Sequence, residues 1–93
     1  MSEPGVVPRH LDGNAAAGAL AELFGTDITG AMGTCTACGN RAAMAETHAY
    51  VDGPGVVLRC HACDSVLMRW ATSRRTTWLE MSGLRSIEIT VAP

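Results

Sequence analysis

The chain has 93 residues, and its 7 basic and 9 acidic side chains give a formal net charge of −2. A chain of this length forms one domain with a limited core, and its acidic balance argues against non-specific binding to nucleic acid, which requires excess positive charge. No segment approaches the ~20 apolar residues of a membrane-spanning helix, and the first residues lack the pattern of a secretory signal. We therefore expect a cytoplasmic protein with a leader at residues 1–10 and one domain at residues 11–93.

The leader is predicted to be flexible. Residues 1–10 contain Pro4, Gly5 and Pro8 and show no hydrophobic periodicity, which is typical of an unstructured end. His10 lies in this segment, and we expect it to be solvated.

A helix is predicted to open at Leu11-Asp12-Gly13-Asn14, with Asp12 or Asn14 as its cap, and to stop at Gly25. Apolar residues recur at helical spacing at Ala16, Leu20, Leu23 and Phe24. Gly18 costs about 1 kcal/mol relative to alanine inside a helix. We therefore expect Gly18 to allow close packing of the helix against a sheet.

The rest of the chain is predicted to form antiparallel strands. The segments are residues 27–34, 43–51, 56–60, 66–71, 77–81 and 84–91. The turn Asp52-Gly53-Pro54-Gly55 joins the second segment to the third, and a polar turn at residues 72–76 joins the fourth to the fifth. In the last segment Ile87, Ile89 and Val91 alternate with polar residues, which indicates a half-buried strand. The predicted fold is a mostly β, small α+β protein: a zinc ribbon extended by a second antiparallel hairpin and a C-terminal strand, with one N-terminal helix.

Two C-x2-C pairs, separated by residues 39–59, are the strongest signal in the sequence. They are Cys35 with Cys38 and Cys60 with Cys63. Zn²⁺ prefers four soft ligands in a tetrahedron, and each pair can curl around the metal and supply one edge of it. The chain must bend after each pair, often with positive φ, which Gly39 adopts freely and Asp64 at modest cost. Backbone N–H groups of such turns can donate to the thiolates. The pairs predict one structural zinc ion held by four thiolates.

Three other uses of the cysteines compete with zinc. Disulfides require an oxidising compartment, and thioredoxin-like chemistry requires one pair at the start of a helix. A rubredoxin-like iron site uses nearly the same ligands, but such sites usually have glycine after both pairs and a dense aromatic core. This chain has Asp64 after the second pair, and its aromatic residues are two Trp, one Tyr and one Phe. Zinc is therefore the predicted ion, and iron is the less favoured one.

The histidines are not predicted to be ligands. His48 should share a strand face with Tyr50 as an ordinary sheet residue. His61 lies inside the second cysteine turn, where adjacent ligands would strain a tetrahedron, so we expect it to be exposed. Four thiolates leave no open metal position for water, and the chain has no nucleotide-binding loop, serine nucleophile turn or carboxylate dyad near a histidine. We predict that the chain is not an enzyme.

Residues 59–85 carry a local positive charge, and every basic side chain of the protein is arginine. The arginines of this region are Arg59, Arg69, Arg74, Arg75 and Arg85. A coding preference for arginine is the simplest interpretation. The functional interpretation is an anion-binding or partner-binding surface at Arg69, Arg74 and Arg75, because a guanidinium suits carboxylates and phosphates. Trp70 and Trp78 are predicted to meet across the second hairpin, either in the core or as an exposed partner site.

Several segments together have a more specific pattern. They are Leu11-Asp12-Gly13-Asn14, Glu22-Leu23-Phe24, Cys35-x2-Cys38-Gly39, Tyr50 with Pro54-Gly55, Arg59-Cys60-x2-Cys63, and Trp78-Leu79-x-Met81-x-Gly83-Leu84. In these segments, from about residue 11 to residue 91, the chain resembles an uncharacterised bacterial family of short single-domain zinc-ribbon proteins, labelled as a domain of unknown function. The resemblance implies that the four cysteines are metal ligands and that no activity is assigned. Members of that family lie beside genes for oxidoreductases, which implies an accessory subunit.

Three functional hypotheses follow. The favoured one is a non-catalytic zinc-ribbon binding module with a protein partner, for example as a small subunit of an oxidoreductase complex. The second is a nucleic-acid-binding ribbon that uses the arginines of residues 59–85. The third is a rubredoxin-like iron electron carrier. No membrane and no small-molecule substrate is indicated.

Overall fold

The computed structural model describes residues 11–52 and 54–90, so the predicted leader lies outside the described residues. The described part is mostly β, with two antiparallel sheets and one α-helix, which confirms the predicted fold class. Within these residues no helix is long and apolar enough to cross a membrane.

The elements are short and follow one another closely. They are β1 (Leu11–Asp12), a 3₁₀ helix (Gly13–Ala16), α1 (Ala17–Phe24), β2 (Met32–Cys35), β3 (Arg41–Ala43), a second 3₁₀ helix (Met44–Glu46), β4 (His48–Asp52), β5 (Gly55–Arg59), β6 (Val66–Ser73), β7 (Thr76–Glu80) and β8 (Leu84–Glu88). A large sheet has the strand order β1-β4-β5-β6-β7, and a small sheet has the order β3-β2-β8. All neighbouring strands are antiparallel.

The predicted helix forms later than expected and in two parts. Leu11 and Asp12 instead pair with β4 as an edge strand. The Asp12 carboxylate accepts a hydrogen bond from the Asn14 N–H at 3.0 Å and caps the first 3₁₀ helix. α1 ends, as predicted, at Gly25, which has φ 76°. The prediction for Gly18 was wrong: the residue is exposed, and nothing lies within 4 Å of the place where its Cβ would stand.

The core lies between α1 and one face of the large sheet. Ala49, Leu58 and Met68 stand opposite one another on β4, β5 and β6, and all three are buried. Leu20 of α1 is fully buried in the same cluster. Each fully buried aliphatic side chain of this size contributes about 1.5–3 kcal/mol. The helix and the central strands therefore stabilise each other.

The predicted strand at residues 27–34 forms only in its second half, as β2. The Asp27 carboxylate accepts hydrogen bonds from the Thr29 N–H at 2.9 Å and from the Thr29 hydroxyl at 2.8 Å. The Ala31 N–H donates to the Ile28 carbonyl at 2.9 Å. A short polar side chain that satisfies nearby backbone groups competes with strand pairing. The first half of the segment is therefore a turn.

The second hairpin has a tighter turn than predicted, and its register separates the two tryptophans. Only Arg74 and Arg75 lie between β6 and β7, and Arg74 has φ 55°. Trp70 stands opposite Leu79, and Trp78 stands opposite Ala71. Since facing residues share a side of the sheet and neighbours in a strand alternate, Trp70 and Trp78 point to opposite faces. Trp70 is 4% exposed and Trp78 is 55% exposed, so the prediction that they meet was wrong.

The C-terminal strand β8 follows β7 after three residues, but it pairs with β2 in the small sheet and not with β7. A bidentate ion pair links β8 to β3. The Arg41 guanidinium of β3 reaches across β2 to the Glu88 carboxylate, with N–O distances of 2.6 and 2.9 Å. Both side chains are more than half exposed.

This ion pair should be visible in the titration of Glu88. The hydrogen bonds and charge of Arg41 lower the pKa of Glu88 from its ordinary value of 4.5. The pair therefore stabilises the fold above about pH 4.5, and the contribution is lost as the pH falls through the lowered pKa of the folded state. In an NMR titration of the carboxyl carbon, the midpoint should lie below 4.5 and should rise in Arg41→Gln. A midpoint that is the same in both proteins would contradict the pairing in solution.

Candidate metal centre

The two cysteine pairs form two turns of the same geometry. In the first turn the Gly39 N–H donates to the Cys35 carbonyl at 2.8 Å, and in the second the Asp64 N–H donates to the Cys60 carbonyl at 2.8 Å. Gly39 has φ 78° and Asp64 has φ 66°. The left-handed conformation predicted after each pair is therefore confirmed.

Different sheets deliver the two turns. β2 of the small sheet runs into Cys35, and β5 of the large sheet runs into Cys60. The strand register shifts just before each turn, between Thr34 and Cys35 and between Leu58 and Arg59. Such bulges re-aim the chain next to functional sites. Opposite the second shift, β6 carries the additional residue Leu67, which is buried against Cys35 and Cys60.

The four sulfur atoms lie close enough together for one metal ion to contact all of them. All four Sγ atoms lie within 4.8 Å of one another. Cys35 and Cys63 are 3.7 Å apart, and so are Cys38 and Cys60. A tetrahedron with metal–sulfur bonds of about 2.3 Å has edges of about 3.8 Å. The cysteines are free, and 3.7 Å is far longer than the about 2.05 Å of a disulfide. The residues present thus fit a metal ion.

The backbone supports the thiolates without any special side chain. The Asn40 N–H donates to the Cys38 sulfur at 3.4 Å, and the Ala62 N–H donates to the Cys60 sulfur at 3.3 Å. Both donors lie two residues after the cysteine that they contact. Such N–H groups disperse thiolate charge and hold the sulfur in position.

The thiols hold their protons unequally before a metal binds. The Ser65 hydroxyl and N–H donate to Cys63 and lower the pKa of its thiol to about 6. The Asn40 N–H lowers the pKa of Cys38, but desolvation and the hydrogen bonds with the other three cysteines outweigh it and raise that pKa to about 12. A divalent cation would replace this shared proton network, because thiolates are the form that binds metal.

Half of the site is buried and half is open. Cys35 and Cys60 are buried, and Cys38 and Cys63 are exposed. Leu67 and Leu84 pack beneath the buried pair. The centre therefore rests on apolar side chains and has one side at the protein surface.

His61 joins the two turns, a role that the sequence analysis missed. Its side chain is exposed, as predicted, but its Nε2 lies 3.2 Å from the Asn40 side-chain amide of the first turn. Its ring also meets that of His48 edge-on, with 6.5 Å between centroids. Neither histidine belongs to the cluster of four candidate ligands. Only the tertiary fold brings residues 40, 48 and 61 together, so no sequence pattern signalled the contact.

The arginines of residues 59–85 do not form a single surface. The Arg59 guanidinium donates to the Asp64 carbonyl at 2.9 Å and so braces the second turn, while its charge lies 5.7 Å from the Tyr50 ring centroid. Arg69 pairs with Glu80 at 2.6 Å. The remaining three lie elsewhere: Arg74 and Arg75 at the tip of the β6–β7 hairpin, and Arg85 in the small sheet.

Comparison with known families gives one result. Residues 7–92 match the model of a family described as "Family of unknown function (DUF6510)". Searches of curated proteins and of solved structures found no match. The match covers nearly the whole chain and is consistent with the resemblance to an uncharacterised family. The protein, with its cluster of four cysteines, therefore belongs to this family of unknown function.

Proposed function

We propose that the four thiolates bind one structural zinc ion and that the protein is a non-catalytic zinc-ribbon module that binds a protein partner. The clustering of the four sulfur atoms, two pairs of which are 3.7 Å apart, supports this proposal most strongly. Zinc accepts four thiolates without a geometric preference of its own, and a centre with four protein ligands has no position for a reacting water.

A zinc ion at this site would hold the two sheets together. Cys35 and Cys38 belong to the first turn and Cys60 and Cys63 to the second, so one ion would fasten the small sheet to the large one. Structural zinc can contribute about 10–16 kcal/mol of apparent binding free energy, as much as the whole stability of a typical domain. Four thiolates (−4) and one Zn²⁺ (+2) together carry a charge of −2. Added to the formal net charge of −2, this makes the zinc-loaded protein more acidic, at −4. This charge disfavours the alternative of a nucleic-acid partner.

A protein partner is supported by the outer face of the large sheet, the face that α1 does not cover. Trp78 is 55% exposed there, and the Arg69 guanidinium lies 5.4 Å from its ring centroid. Arg59 and Tyr50 form a second such pair on the same face. Tryptophan, tyrosine and arginine are the residues that most often dominate the binding energy of protein interfaces. We call these four residues the outer-face patch.

The first experiment is native mass spectrometry of the protein purified gently from its own host. One zinc ion per chain and a co-purifying subunit would support both parts of the proposal and would identify the partner. One iron ion per chain, with visible colour, would instead establish the electron-carrier alternative. A zinc-loaded monomer that slows the migration of DNA or RNA in a gel at low salt would establish the nucleic-acid alternative, provided that Arg74→Ala/Arg75→Ala abolishes the effect.

Trp78→Ala is expected to weaken partner binding with little effect on the fold. An exposed aromatic anchor is worth about 2 kcal/mol or more, which corresponds to a roughly thirtyfold rise in Kd. Leu11→Ala is the matched control, since Leu11 is 51% exposed but lies at the opposite edge of the sheet. Calorimetry with the co-purified partner would measure both variants. Equal affinity of Trp78→Ala and wild type would remove the outer-face patch from the interface.

A further inference from the structure

β7 is an open edge of the large sheet. It is the last strand in the order β1-β4-β5-β6-β7, and in the described part of the chain nothing pairs with its outer side. Thr76, Thr77, Trp78 and Leu79 are all exposed, and Glu80 is half-buried. The register with β6 is regular, without a bulge, and the strand contains neither proline nor lysine. Bulges, prolines and lysines usually protect a sheet edge from pairing with another chain, and β7 has none of them.

The hairpin geometry shows which backbone groups of β7 face outward. A two-residue turn makes Ser73 and Thr76 a hydrogen-bonded pair, and such pairs alternate with non-hydrogen-bonded ones along an antiparallel ladder. Thr77 and Leu79 therefore turn their N–H and C=O groups away from β6. The hydroxyls of Thr72 and Thr77 are 3.0 Å apart, as expected for the closer, non-hydrogen-bonded pairs.

The side chains at this edge add apolar contacts and charge. Trp78 projects from the outer face and is 55% exposed, and Leu79 projects from the other face and is 38% exposed. Arg74 and Arg75 stand at the beginning of the strand, and neither forms an ion pair with a described residue. The edge thus combines outward backbone groups, one apolar side chain on each face and positive charge at one end.

We propose that β7 accepts an extended segment of the partner protein as a sixth strand of the large sheet, with acidic side chains of that segment placed opposite Arg74 and Arg75. This rests on the proposed function, of which it specifies the mode of binding. Main-chain hydrogen bonds to Thr77 and Leu79 supply affinity, and the arginine charges select for carboxylates and fix the register.

A second copy of the chain fits this edge less well. In a twofold antiparallel pair of β7 strands, the outward groups of Thr77 would bond those of Leu79 of the second copy. Continuing that register places Arg75 opposite Met81 and Arg74 opposite Ser82 of the second copy. No carboxylate faces the arginines in that register. In the register centred on Thr77, Glu80 would lie opposite Arg74, but Glu80 is already paired with Arg69, so the arginine charges better suit an acidic segment of a different chain.

The test is an NMR titration of the ¹⁵N-labelled, zinc-loaded protein with a synthetic peptide. The probe is an eight-residue peptide of alternating threonine and valine that ends in two glutamates, since antiparallel pairing sets its C-terminal end opposite Arg74 and Arg75. The control peptide ends in two lysines. We expect shift changes centred on β7, slowed amide exchange at Thr77 and Leu79, and roughly tenfold weaker binding of the lysine peptide.

Two pairs of variants separate the backbone contribution from the charge contribution. Thr77→Pro removes one outward N–H and leaves the bonds to β6 in place, so it should abolish peptide binding, whereas Thr77→Val should retain it. Arg75→Glu should reverse the preference between the two peptides. Arg85→Glu makes the same change in net charge on the small sheet and should leave the preference unaltered. The charge pair keeps the test valid even if Thr77→Pro does not fold.

Four results would overturn strand addition, the last of them without affecting the proposed function. The first is an unchanged β7 spectrum at millimolar peptide. The second is a dimer in which Thr77 and Leu79 are protected without peptide, which would assign the edge to a second copy. The third is the same protection in a monomer, which would show that the chain covers its own edge. A natural partner that is lost with Trp78→Ala but retained with Thr77→Pro would leave the proposed function intact and remove only the strand addition.

Discussion

Cys60→Ser is expected to lose the metal and to unfold both cysteine turns. A serine hydroxyl is a poor ligand for zinc, and three remaining thiolates bind it much more weakly. The lost binding energy, about 10–16 kcal/mol for a structural site, is as large as the whole stability of a typical domain. Metal content measured by mass spectrometry should fall from one ion per chain to none, and the amide spectrum should collapse to the narrow range of an unfolded chain.

Ala62→Ser is the matched control for this experiment. It places a serine in the same turn, two residues away, and keeps the backbone N–H that donates to the Cys60 sulfur. Metal content and spectrum should stay as in the wild type. Native-like dispersion in Cys60→Ser without zinc would show that the apolar core holds the fold alone, and would contradict the structural role of the ion.

The second large effect is expected from Gly83→Ala. A Cβ at Gly83 would lie 1.8 Å from the Val66 carbonyl oxygen and 2.7 Å from the Leu67 Cα. Both are backbone atoms, which cannot move aside as a flexible side chain can. The Gly83 N–H also donates to the Leu67 carbonyl at 3.1 Å, and its own carbonyl accepts from the Thr36 N–H at 2.9 Å. The substitution should therefore push the first cysteine turn away from the strand that supports the centre.

We expect Gly83→Ala to cost at least ~2 kcal/mol of unfolding free energy and to weaken metal binding. Gly18→Ala makes the same chemical change in open space within α1, and it should stabilise the protein by about 0.5–1 kcal/mol. Chemical denaturation and competition with a chelator would measure the two effects. If both variants had the same stability, the close approach at Gly83 would not exist in solution.

These two glycines show what a sequence pattern leaves undecided. Gly18 was predicted to allow close packing, because it lies within a helix, and this was wrong. Gly83 and the buried Gly13 are the close approaches, and a Cβ at Gly13 would lie 1.9 Å from the Met44 carbonyl oxygen. In each case the obstructing atom belongs to a segment distant in sequence. Local propensity carries no information about such a neighbour.

The tryptophans and the C-terminal strand illustrate the same limit. Two strand segments, 66–71 and 77–81, with a polar turn between them predicted a hairpin, but the length of its turn decided the register. A shift of one residue puts a side chain on the other face. Residues 84–91 were predicted as a strand; β8 ends at Glu88, and its pairing with β2 could not be anticipated. Strand partners are chosen by packing of the whole chain, whereas strand propensity is local.

The sequence by itself determined the four cysteines, their two turns and the left-handed residues at 39 and 64, because each turn closes within five residues and its geometry depends on little else. It also determined the helix stop at Gly25 and the mostly β character of the chain. Only the tertiary structure decided that the turns come from different sheets, that His61 and Arg59 brace them, and that no strand of residues 11–52 and 54–90 covers the outer edge of β7. These features depend on contacts between residues far apart in the chain, whose free energies are settled only when the core forms.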